Sequence, residues 1–123
     1  MADLQEELIR CRPWIEAALE YSGGTHEFED IVIGIYEQRM QLWPAENSCL
    51  VTELVNYPRK RVLHVFLGGG NLEEIMGMHS DVIKWAKLQG CSGMTMTGRL
   101  GWKKPLAEHG WKTVHQSYAK EFE

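Results

Sequence analysis

Apolar residues return at helical spacing from the start of the chain. Leu4, Leu8, Cys11, Ile15, Ala18 and Leu19 fall on one face of a segment that ends near Tyr21. Pro13 interrupts that face and predicts a kink, or a fresh helix starting at Arg12 or Pro13, where a missing N–H does no harm. Ser22-Gly23-Gly24 ends the helix, and Thr25 stands as N-cap of a second, with Phe28, Ile31, Val32, Ile35 and Arg39 on one stripe. The period changes after Met40. Gln41 to Ala45 is a short strand candidate stopped by Pro44, and Cys49 to Tyr57 is rich in β-formers. Tyr57-Pro58-Arg59-Lys60 is a turn with Pro at its second position. Val62 to Leu67 is apolar on both faces apart from His64, which suits a central strand covered on both sides. The two strands flanking the turn predict an antiparallel hairpin.

Gly68-Gly69-Gly70 releases the chain into a long helix capped by Asn71, with Glu74 completing a capping box. Leu72, Ile75, Met76, His79, Val82, Ile83 and Ala86 keep helical spacing, and Gly90 closes the helix. Cys91 to Thr97 reads as a strand with Met94 and Met96 on one face and Thr95 and Thr97 on the other. Gly98-Arg99-Leu100-Gly101-Trp102 turns into a short helix, Lys103 to His109, ended by Gly110. Lys112 to Tyr118 is the last strand expected. The order ααβββαβαβ packs as a mixed central sheet flanked by helices, an α/β architecture.

At 123 residues, with 44% hydrophobic and 24% charged, the chain suits one globular domain over 1–123. A net charge of −4 and no basic run argue against a nucleic-acid partner. Cys11, Cys49 and Cys91 are widely spaced and odd in number, so they read as buried thiols in a reducing compartment. No apolar run is long enough for a membrane span and no signal pattern precedes the first helix, so a cytoplasmic setting is expected.

This order of elements is similar to that of the acyl-CoA N-acyltransferase (GNAT) superfamily, with the residue-level likeness running from about Val62 to Tyr118. Trp85-Ala86-Lys87-Leu88-Gln89-Gly90-Cys91 resembles the end of the helix after that family's central strand. Leu106-Ala107-Glu108-His109-Gly110-Trp111 resembles its short helix followed by a Gly-aromatic pair. Trp85-Ala86-Lys87, Gly98-Arg99-Leu100-Gly101-Trp102 and Val51-Thr52-Glu53 followed by Tyr57-Pro58 resemble small GNAT-like proteins of tailed phages. The resemblance implies a single GNAT-like domain and leaves two functions open. One is a phage or prophage protein degenerate in catalysis, acting as a virion-associated or assembly factor through a protein partner. The other is an acetyl-CoA-dependent N-acetyltransferase acting on an amine.

For acetyl-CoA the resemblance implies a site of Val65, Leu67, Gly68, Gly69, Gly70 and Asn71, with pyrophosphate at the helix N-terminus. The family's loop runs Gln or Arg, two residues, Gly, one residue, then Gly or Ala. With Gly68 and Gly70 as the small positions, Val65 falls where Gln or Arg belongs. Glu73 and Glu74 set negative charge in the first turn, which favours the helix dipole and opposes an incoming anion. A well-capped structural helix explains the same residues. Many of the family's enzymes carry a Tyr acid where Leu106 stands here. A general base would come from Glu53 or His64; the alternatives are a solvent-facing strand carboxylate and a hydrogen-bonded core histidine. His79 lies on an apolar stripe, and His26, His109 and His115 have no metal-ligand spacing. Arg99, in a Gly-rich turn, suits an anion or a carboxylate of its own fold. Trp14, Trp43 and Trp102 lie near element ends, as partner anchors or as core.

Overall fold

A computed structural model describes residues 3–98 and 100–122 of the chain. Helix α1 (Leu4–Leu19) starts at Asp3, whose carboxylate accepts from the Glu6 N–H at 2.8 Å. Pro13 lies inside this helix and neither breaks nor restarts it. Proline removes the bond to the Ile9 carbonyl, and both Pro13 and Ile9 face solvent, where water can serve that carbonyl. Helix α2 (Phe28–Tyr36) is capped by Glu27 rather than Thr25. The Asp30 carboxylate accepts from the Glu27 N–H at 2.9 Å, while the Thr25 hydroxyl bonds the His26 ring at 2.7 Å. Arg39 falls past the end of α2 and pairs with Glu37 on the surface.

Four strands form one mixed sheet in the order β1-β2-β3-β4: β1 Met40–Pro44, β2 Ser48–Asn56, β3 Arg61–Gly70 and β4 Gly93–Met96. The β1–β2 and β2–β3 pairs are antiparallel and β3–β4 is parallel. The expected hairpin is there. The register slips by one residue at Phe66, since Val51 faces Leu67 and Thr52 faces Val65. Gly68-Gly69-Gly70 is not a loop: it extends β3 and pairs with Leu50, Cys49 and Ser48.

The long helix expected after Asn71 is divided into α3 (Leu72–Gly77) and α4 (His79–Leu88), with Met78 between them. Gly77, a weak helix former, sits at the break. A 3-10 turn (Leu100–Trp102) leads into α5 (Lys103–Glu108). The final strand expected at Lys112–Tyr118 does not form. Val114 and Tyr118 there are about four-fifths or more exposed, so the segment buries too little to offset the cost of ordering it.

The sheet separates two apolar layers. Leu8, Cys11, Ile15, Ile31 and Ile35 of α1 and α2 pack on one face with Cys49, Val51 and Leu67. Ile75, Val82 and Ala86 of α3 and α4 pack on the other with Leu50, Leu63 and Val65. No helix of the described residues is long and apolar enough to cross a membrane.

Candidate functional site

The β3–α3 junction is where an anion would sit if the chain held acetyl-CoA. Asn71 caps α3 by accepting from the Glu74 N–H at 3.0 Å. The Glu74 carboxylate reaches back to the start of β2, accepting from the Asn47 N–H at 2.8 Å, Asn47 Nδ2 at 3.2 Å and the Ser48 hydroxyl at 2.7 Å. Its pKa is held below the ordinary carboxylate range, first by the Ser48 hydrogen bond and then by the Asn47 backbone. A stable negative charge therefore stands in the first turn of α3.

The three glycines are explained by the chain's own packing. A Cβ on Gly69 would come within 2.6 Å of the Trp14 carbonyl oxygen, and one on Gly70 would strike the Asn47 carbonyl. Gly70 also has φ +99°, a backbone that favours glycine. A Cβ on Gly68 would meet Leu50 at 3.0 Å and the Trp102 ring at 3.2 Å. Trp102 lies over β3 at Gly68, beyond the point where the β3–β4 pairing stops at Val65 and Met96. The pyrophosphate and pantetheine positions implied for acetyl-CoA are thus bordered by the Glu74 carboxylate and the Trp102 indole.

The two candidate bases do come together. Glu53 faces His64 across β2–β3, and His64 faces Thr95 across β3–β4, so the three share one sheet face. The His64 Nδ1 and Thr95 Oγ1 are 2.8 Å apart. Burial lowers the His64 pKa, and the Glu53 charge partly opposes that shift. A neutral imidazole beside a carboxylate can accept a proton. Val65 and Leu67 are buried in opposite layers, and Asn71 is committed to its cap.

A cleft of about 610 Å³ opens between α4, β4 and the segment after α5. His79 on α4 and His109 at the end of α5 place their rings 6.3 Å apart, and Trp111 lies 6.0 Å from His79. Burial, and then the neighbouring His109, lower the His79 pKa. Sequence reasoning missed this cluster, because 30 positions separate the two histidines and only the fold joins α4 to the Gly110-Trp111 turn. No group of three metal-ligating side chains occurs among the described residues. Arg99 lies outside the described residues.

No protein-family model matches the chain, and no curated protein matches it. Solved structures do. It is similar to a probable acetyltransferase at 13% identity, covering 99% of this chain and 95% of that one, with a TM-score of 0.66. It is similar to an acetyltransferase of Trypanosoma brucei at 8% identity, covering 78% of each chain, with a TM-score of 0.60. It is also similar to a transcriptional regulator of Bacillus halodurans C-125 at 14% identity, covering 98% and 96%, with a TM-score of 0.65. Proteins with different described roles share this architecture, so it does not carry a function by itself. What these likenesses establish is the fold: a small α/β domain, its four-stranded mixed sheet flanked by helices, on the GNAT plan.

Proposed function

We propose that this chain keeps a GNAT-type fold without the family's cofactor chemistry and acts through contacts with another protein, as a virion-associated or assembly factor. The observation that supports this is the Glu74 carboxylate, fixed by Asn47 and Ser48 at the turn where a pyrophosphate would need free amides and no opposing charge. Leu106, where many of the family's enzymes carry a proton-donating Tyr, adds to it.

Isothermal titration with acetyl-CoA and with free CoA at moderate salt tests the reading. No heat and no thermal shift at millimolar ligand is the expected result. Micromolar binding, about −8 kcal/mol, would overturn it. Genes for portal and capsid proteins beside this one would support the phage setting.

The Glu53–His64–Thr95 row favours a second reading, an acetyl-CoA-dependent N-acetyltransferase acting on an amine. In it, His64 or Glu53 would take the proton of the attacking amine.

A further inference from the structure

The outer edge of β4 and the cleft beside it form a surface with an unusual charge pattern. The chain as a whole carries −4, yet among the described residues no carboxylate lines this cleft. Four of the five histidines line it, together with Lys87 of α4 and Lys112 of the segment after α5. Between them run apolar walls from Ile83, Met94, Met96 and Val114.

The main chain adds a second feature. β4 is the last strand of the sheet, and among the described residues no backbone hydrogen bond reaches Gly93–Met96 from the segment after α5. That segment lies along the cleft without pairing. The Trp111 indole N–H, in the same wall, is buried with no hydrogen-bond partner. An exposed edge strand presents a row of unpaired N–H and C=O groups, which another extended chain can pair with. A volume of about 610 Å³ lies within the roughly 300–1,000 Å³ common for ligand clefts.

We infer that this cleft receives an extended acidic segment of a partner protein, which adds a strand to the open edge of β4 and sets its carboxylates against Lys87 and Lys112. This rests on the protein-contact reading above and names the surface and the chemistry of the partner. Main-chain pairing gives the segment its direction, and the apolar walls take its alternate side chains. Rim charges of this kind act mainly on association rate and are weakened by salt.

Fluorescence anisotropy with a labelled octapeptide of alternating Glu and Val tests it. Saturable binding at low salt is expected, with none for the matching Lys-Val peptide. Two further Glu-Val peptides carry N-methyl groups, one on every Glu amide and one on every Val amide. Each removes the donors of one peptide edge and leaves the charge unchanged. At least one must lose about tenfold or more in affinity; if both bind as well as the parent, strand addition is wrong. Lys87→Glu with Lys112→Glu, both at exposed positions, is expected to lose about tenfold or more, and unchanged binding would overturn the charge assignment. Full competition by millimolar free glutamate would assign the cleft to a small anion and overturn the proposal. Acetyl-CoA, titrated separately, reports on the preceding reading alone: its binding sinks that reading, whereas absent peptide binding sinks only this one.

Discussion

The Glu74 carboxylate and the Ser48 hydroxyl, 26 positions apart in the chain, meet at 2.7 Å and tie the first turn of α3 to the start of β2. Ser48 is fully buried, so its hydroxyl depends on this acceptor. The same carboxylate serves Asn47, and through it the β1–β2 turn is fastened to the end of β3.

Glu74 should therefore be read from acid unfolding. Its folded pKa is lowered from an ordinary value of 4.5. A depressed carboxylate contributes stability that is present above the unfolded pKa and lost as pH falls through the folded one. Urea unfolding from pH 7 down to pH 3 should show Glu74→Gln less stable than the parent at pH 7, with the gap closing below pH 4.5. A gap that stays constant with pH would mean the hydrogen bonds, not the charge, carry the effect.

Alanine at the three glycines should rank by what the new Cβ meets. Gly69→Ala presses on the backbone carbonyl of Trp14, and Gly70→Ala adds a strained φ to a clash with the Asn47 carbonyl. Each should cost about 2–3 kcal/mol. Gly68→Ala meets only the side chains of Leu50 and Trp102, which can shift, and should cost below about 1 kcal/mol. Urea midpoints measure all three. Equal costs would remove the packing explanation for the triple glycine.

Thr52 is fully buried in the middle of a short relay. The Trp43 indole N–H donates to its hydroxyl at 3.0 Å, and the hydroxyl donates to the Gln41 side-chain oxygen at 2.8 Å. Thr52→Val keeps the shape and leaves both neighbours without their partner, at a cost of about 1–3 kcal/mol. Trp43 also packs edge-to-face on Trp85, with centroids 5.7 Å apart. The near-ultraviolet circular dichroism should change with Thr52→Val, and an unaltered spectrum with unaltered stability would show that the relay is dispensable.

The three thiols should not react alike. Cys11 and Cys49 are buried and adjacent, and burial pushes both thiols up. Cys91 is half-buried in the cleft wall. A thiolate reagent at pH 8 should modify one equivalent per native chain quickly, and peptide mapping should place it at Cys91. Fast modification of Cys11 would contradict the packing of α1 on β2.

Much of the layout could be read along the chain, because each β1–β3 strand and each apolar helical stripe has a local period. The β2–β3 hairpin and the Asn71 cap come from adjacent residues; β2 was legible to within a residue, while β3 runs on to Gly70, three residues past its expected end. Thr25 looked like the cap of α2, yet Glu27 and Asp30 form it, since either turn chemistry fits the sequence and only tertiary packing chooses. The Gly68–Gly70 run looked like a release from the sheet. Its place inside β3 comes from pairing with Ser48, Cys49 and Leu50, and the close approach of Trp14, Asn47 and Trp102 is what asks for glycine there. Lys112–Tyr118 has strand-like composition, but Val114 and Tyr118 stay exposed, and how much apolar surface a strand can cover is a property of the whole fold. For the candidate site, Glu53 and His64 could be named individually. Their alignment with Thr95 needed the parallel pairing of β4, and the His79–His109–Trp111 cluster needed the return of the chain over α4.

The extra residue at Phe66 works as a change of gear in β3. Before it, odd-numbered Leu63 and Val65 serve the α4 layer; after it, odd-numbered Leu67 serves the α1 layer. One strand thus belongs to two hydrophobic layers in turn, and its parity is reset midway. Deleting residue 66 would let Leu67 follow Val65 in the plain alternation that β2 already keeps, so Leu67 and the glycines would stay on their own sides and only the bulge and the Phe66 ring would be lost. The sheet's two faces are in this sense written in one phase up to residue 65 and in the opposite phase beyond it.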